Sequence, residues 1–255
     1  MFTKKIVSLS AILMVAATAL AQQGTARPTP ESTELWAPVP RVVHPGINFP
    51  ESQETTAPSD AIILFDGKNF DHWLSAKDSS GAKWSIAGKS MTVVKGTGDI
   101  QTREGFENFQ LHIEFRTPAN IEGSGQGRGN SGIFMQGIYE LQVLDSYDNL
   151  TYSNGQAGSI YKQSMPLVNA SSMPGTWQCY DIIYMAPAFN KDGMMRTTGF
   201  ITVLHNGILI QNHTAIYGTT PSAGAPQQIV HGKGPLRLQN HNNPVSYRNI
   251  WIREL

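Results

Sequence analysis

A single cysteine, Cys179, stands in the 255 residues, so no internal disulfide can form and stability has to come from apolar burial. Charge of one sign is also missing. The 19 basic and 19 acidic residues cancel, which leaves no basic footprint for a nucleic-acid partner. After the first 21 residues no apolar run approaches the ~20 residues of a membrane span. No His-x-x-x-His or Cys-x-x-Cys spacing marks a metal site among the seven histidines and the one cysteine. A divalent cation held by scattered carboxylates and carbonyls leaves no such spacing, so the cofactor question stays open.

Glycine and proline are abundant, at 24 and 15 residues. The N-terminus reads as an export signal. Lys4 and Lys5 precede the apolar run Ile6 to Leu20, and Ala19-Leu20-Ala21 is an Ala-x-Ala cleavage site. Removing residues 1–21 takes away two basic residues and no acidic one, leaving a net charge of −2. Gln22, not a cysteine, stands directly after the cleavage site, so the expected location is periplasmic or secreted, without a lipid anchor. Residues 22–58 carry seven prolines and no sustained periodicity, and they read as an arm. Trp36, Val42, Val43 and Phe49 are its candidates for packing on the domain.

Residues 59–255 read as short strands. Phe109, Leu111, Ile113 and Phe115 alternate with polar residues, the period of a half-buried strand. Asn206-Gly207 between Phe200–Leu204 and Ile208–Ile210 signals a tight hairpin. Ala61–Phe65, Tyr139–Asp145, Tyr180–Tyr184, Leu236–Asn240 and Tyr247–Ile252 add further strands, and a helical turn fits only around Lys68–Leu74. Such a chain predicts an all-β antiparallel sandwich or barrel.

On the strand Tyr139–Asp145, Glu140 and Gln142 share one face, while Leu141 and Val143 share the other. A one-residue bulge near Val143-Leu144 would bring Asp145 round to join them. Two carboxylates and an amide on one face are what acid–base or nucleophilic sugar chemistry requires, whereas a solvated Glu140 and a turn-starting Asp145 are the plain alternative. Arg237, Gln239 and His241 share one strand face, and His241 is either a cleft group or a rim histidine. Arg248 lies in phase with Ile250 and Ile252, either as a substrate contact or as a buried partner of Asp145 or Glu114. The glycine-rich loop Gly123–Gly129 is no phosphate loop, because Ser124 and Asn130 occupy the positions of the required Gly and Lys. Tyr147, Tyr161 and Lys162 lie in a loop-rich stretch suited to a cleft wall.

Several segments, in order and spacing, resemble the 3-keto-disaccharide hydrolase-like domain family. They include Glu34–Pro40, Ser59–Lys68, Phe115–Pro118, Gly129–Ile133, Tyr139–Ser146, Gly234–His241 and Tyr247–Ile252. The resemblance implies a concanavalin A-like jelly roll of two curved antiparallel sheets with a sugar site on a concave face. It implies a carbohydrate-active hydrolase or lyase acting on 3-keto-glycosides, with an oligosaccharide or glycoside as partner. Glu140, Asp145 and His241 become the expected catalytic residues. Gln142, Asn130, Arg128, Tyr147, Tyr161, Lys162, Gln239 and Arg248 become the expected substrate contacts. The Glu-x-Gln-x-x-Asp order is also similar to the bulged Glu-x-Asp-x-x-Glu strand of laminarinase-type glycosidases. Gln142 and Asp145 depart from that pattern, which speaks against an ordinary double displacement. The alternative function is a non-catalytic carbohydrate-binding module on the same fold.

Overall fold

The computed structural model describes residues 27–44 and 56–255. The export segment expected at 1–21 and Phe49 of the arm lie outside the described residues. Seventeen strands and three short 3₁₀ turns make up the described chain. The strands run β1 (Arg41–Val42), β2 (Ile62–Phe65), β3 (Trp73–Ser75), β4 (Ser85–Ala87), β5 (Ser90–Thr92) and β6 (Ile100–Phe106). Next come β7 (Phe109–Arg116), β8 (Ser131–Met135), β9 (Tyr139–Val143), β10 (Val168–Asn169), β11 (Gln178–Met185) and β12 (Ala188–Phe189). Last are β13 (Met195–Thr197), β14 (Gly199–His205), β15 (Ile208–Ile216), β16 (Gly234–Leu238) and β17 (Ser246–Glu254). The helical turn expected around Lys68–Leu74 does not form; turns lead into β3 there, because Trp73 is drawn into the core.

Two sheets form a jelly-roll sandwich. The larger has the order β15-β14-β11-β7-β17-β5-β4, with β2 also pairing on β17. The smaller has the order β3-β6-β16-β8-β9. Alternation sets their facing surfaces. Phe109, Leu111, Ile113 and Phe115 of β7 point inward, as do Ile133 of β8 and Leu141 and Val143 of β9, and all are essentially buried. The Asn206-Gly207 hairpin is closed by positive φ at both residues, 53° and 78°, the backbone a two-residue turn between twisted strands needs.

Three tyrosines reach across the core from the larger sheet to β8, β9 and the turn between them. Tyr180 Oη donates to the Gln142 carbonyl at 3.0 Å, and Tyr247 Oη donates to Ser131 Oγ at 2.6 Å. Tyr184 Oη donates to Gln136 Oε1 at 2.5 Å. Each ring fills the sandwich while its hydroxyl satisfies a buried polar group, so β8 and β9 are fixed in height as well as in register.

The described part of the arm lies on the domain. Asn154 accepts from the Leu35 amide and donates to the Thr33 carbonyl, both at 3.0 Å. β1 pairs in parallel with β10, and Trp36 meets Tyr152 edge-on at 6.1 Å. Among the described residues no helix is long and apolar enough to cross a membrane.

Candidate functional site

The outer face of the five-stranded sheet carries a polar hollow of about 270 Å³. Its floor follows from the strand register. Phe134 of β8 stands between Arg237 of β16 and Glu140 of β9. In the next row Gly132 faces Gln142, and its carbonyl accepts from the Gln239 amide at 2.9 Å. Gly132 keeps that row low. A Cβ there would lie 2.5 Å from Glu140 Oε1 and 2.9 Å from the Phe134 ring, so any larger residue displaces the carboxylate. Loops raise the walls: Gln126 and Asn130 on one side, Tyr161, Thr220 and Ser222 on the other, with His241 exposed at the rim.

Glu140 is 5% exposed, and its backbone amide donates to Thr220 Oγ1 at 3.1 Å. Burial pushes its carboxyl up to about 8. The positive charge of Arg237 opposes that shift and the charge of Asp99 adds to it, and no hydrogen bond to the carboxylate contributes. A carboxyl of that kind changes protonation state near neutral pH, the range in which a side chain exchanges protons with a reacting group. Arg237 is itself placed by the sheet, its guanidinium 4.0 Å from the centre of the Phe134 ring.

Buried polar atoms in this hollow lack partners. Gln142 donates through Nε2 to Gln126 Oε1 at 2.9 Å and to the Gly155 carbonyl at 3.3 Å, but its Oε1 accepts nothing from the described residues. Gln239 Oε1 and Arg237 Nε are likewise buried without a hydrogen bond. Leaving a buried polar atom unpaired costs about 1–3 kcal/mol, and a molecule bearing hydroxyl donors would supply what the two amide oxygens lack.

The structure brings Glu140, Gln142, Asn130, Tyr161, Gln239 and His241 together, and it separates the other expected site residues from them. Asp145 does not join Glu140. The ladder of β8 and β9 runs through Val143 without a bulge, and the strand ends there. Asp145 Oδ2 accepts from Arg128 Nε at 2.7 Å and Oδ1 from the Tyr147 amide at 3.2 Å. Arg128 also donates to the Tyr147 carbonyl at 2.8 Å, so the pair pins the loop after β9. Arg128 and Asp145 line a neighbouring hollow, together with Glu122 and Asn242, and Tyr147 lines neither.

Lys162 is drawn away by the arm. Its side chain is 4% exposed, its Nζ touches the Pro30 carbonyl, and Glu34 Oε1 lies 3.8 Å away. Arg248 stands on the outer face of the other sheet, bonded to Glu114 at 2.5 Å and set 4.2 Å from the centre of the Trp177 ring. The pairing of β17 with β7 shifts register between Arg248 and Trp251, and Asn249 takes a φ of 45°. That bulge reverses the face on which the strict alternation placed Arg248.

Sequence reasoning missed Gln126, Gly132, Phe134, Thr220 and Ser222. Gly132 could have been suspected as a strand glycine flanked by buried residues, a common mark of close approach. Thr220 and Ser222 sit in a loop without periodicity, and only the fold carries them over β9.

Among solved structures, a candidate glycosyl hydrolase from Parabacteroides distasonis is 55% identical over 89% of this chain and 97% of its own, with a TM-score of 0.78. Two further candidate glycosyl hydrolases from the same organism show the fold. One is 18% identical with a TM-score of 0.56, covering 77% of this chain and 94% of its own. The other is 21% identical with a TM-score of 0.51, covering 76% and 99%. No curated protein matches the chain. The family described as the 3-keto-alpha-glucoside-1,2-lyase-like domain matches residues 60–253, the whole sandwich, and the chain belongs to that family.

Proposed function

We propose that this chain cleaves the glycosidic bond of 3-keto-glycosides by elimination across C1 and C2, with Glu140 as the proton-transfer group. The observation that carries the reading is the buried Glu140 carboxyl, raised to about 8, beside amide oxygens that lack donors. Membership of the family and the candidate glycosyl hydrolase at 55% identity support it.

A ketone at C3 acidifies the proton at C2. Glu140 in its charged form takes that proton, and the electron pair of the C2–H bond moves toward the C3 oxygen as an enolate. We assign the stabilisation of that oxygen to His241 at the rim of the hollow and to Arg237, whose charge acts on Glu140. The enolate then collapses to form the C1=C2 double bond, the C1–O bond breaks, and the leaving oxygen regains a proton from Glu140 or His241. Addition of water across the double bond completes net hydrolysis. Gln142 and Gln239 accept hydrogen bonds from sugar hydroxyls and orient the ring. One carboxylate suffices, so the engagement of Asp145 with Arg128 is no obstacle.

The leader ending at Ala21 supports export, and we place the activity in the periplasm or outside the cell. The test is incubation with a 3-keto-disaccharide and with its unoxidised parent, followed by product analysis. Cleavage of the keto sugar alone is the expected result. Cleavage of the parent alone would overturn the elimination, and saturable binding of sugar without cleavage of either would mark a binding module.

A further inference from the structure

We propose that the outer face of the eight-stranded sheet, opposite the cleft, holds a second site: a divalent ion of the zinc class bound by His112, Cys179 and Asp181. This inference does not depend on the activity proposed for the cleft.

The three side chains come from two adjacent strands in fixed register. Asp181 of β11 stands directly opposite His112 of β7, and Cys179 lies two residues back on the same face. One ligand atom from each falls within 4.8 Å of the others. Ligand atoms around a tetrahedral zinc are roughly 3.3–3.8 Å apart, given bonds of about 2.0–2.3 Å. The site therefore closes by small side-chain rotations. His112 Nδ1 and Asp181 Oδ1, now 2.6 Å apart, open to admit the ion, and Cys179 Sγ, 3.9 Å from Asp181 Oδ2, closes on it. Imidazole, thiolate and carboxylate together suit zinc or cobalt rather than magnesium or calcium. Three protein ligands leave the fourth position to water, on the side where the Asp181 side chain is 40% exposed.

The surroundings are those of a metal-binding histidine. Such a residue presents one ring nitrogen to the ion and donates the other to a carboxylate. His112 Nε2 lies 3.6 Å from Glu114 Oε1, and Glu114 is in turn held by Arg248 and by Asn249 Nδ2 at 2.9 Å. Trp251 stacks on the imidazole at 5.3 Å and 14°, fixing its plane.

The test is titration of the chelator-stripped chain with cobalt(II), then with zinc. A near-ultraviolet thiolate-to-cobalt band should saturate at one cobalt per chain and vanish as zinc displaces it. Cys179→Ser should abolish the band, and Asp181→Asn, at the solvent edge where folding is least at risk, should weaken binding at least tenfold. Zinc should raise the thermal midpoint of the parent chain and not that of Cys179→Ser. Glu140→Gln should bind cobalt as the parent does. Absence of a thiolate band, its persistence in Cys179→Ser, or its loss in Glu140→Gln would each overturn the proposal.

Discussion

The two outer faces of the sandwich carry similar residues in opposite states. On the smaller sheet Glu140 is buried with no hydrogen bond acting on its carboxyl, and the side-chain oxygens of Gln142 and Gln239 are buried without a partner. On the larger sheet Asp181, His112, Glu114 and Arg248 form a continuous chain of ionic contacts. Electrostatics follow. Burial raises Glu140 to about 8, whereas burial of Glu114 is outweighed by hydrogen bonds from His112, Asn249 and Arg248, which lower it to about 2. Burial likewise opposes the charge on His112, yet its bonds to Asp181 and Glu114 raise it to about 9. In the metal-free chain a buried charge whose partners are built in contributes to the fold, and an ion at His112 and Asp181 would replace one such contact; the Glu140 carboxyl, with no partner built in, awaits its ligand.

The sharpest way to break this contrast is Glu140→Gln. It should lower kcat/KM on a 3-keto-disaccharide by about 10²- to 10⁴-fold while circular dichroism stays unchanged. Undiminished turnover would show that the unpartnered carboxyl is not the working group. On the opposite face Arg248→Met should destabilise the chain by about 3–5 kcal/mol in urea unfolding, because Glu114 is left buried without its cation. Activity per folded molecule should not change; lost turnover with intact stability would put Arg248 at the substrate.

The pH dependence of stability separates the faces by sign. The folded chain holds the Glu140 proton from pH 4.5 up to about 8, while the unfolded chain releases it, so stability falls as pH rises through that window. Glu140→Gln should match the parent at pH 4 and exceed it above pH 8 by roughly 2–5 kcal/mol. Glu114 acts the other way. Its contribution is present above 4.5 and lost as pH falls toward 2, and that of His112 is present below 6.5 and lost as pH rises through about 9. The smallest effect is expected at the arm. Lys162→Met removes its contacts with Pro30 and Glu34 and should cost about 1 kcal/mol or less, read as faster proteolysis near residues 27–36. A large loss of activity in that variant would move Lys162 into the cleft.

Much of the sandwich could be read from the chain. Alternation in Phe109–Phe115 gave the inward face of β7, and Asn206-Gly207 gave the β14–β15 hairpin, because both signals act over two to four residues. Glu140 and Gln142 were assigned a common face for the same reason. Contacts made at a distance keep Asp145 and Lys162 out of the cleft, and Arg248 takes the alternative the chain offered, the buried partner of Glu114. Arg128, 17 residues away, takes Asp145; the arm, more than 120 residues away, takes Lys162; and the bulge at Asn249 turns Arg248 outward.

By itself, then, the sequence determined the all-β class and which side chains share a strand face, since a period of two is written in neighbouring residues. Only the tertiary structure decided which face became the cleft. That choice needs β16, β8 and the 217–222 loop brought beside β9, and the energy that places them there lies in the packing of a core assembled from the whole chain.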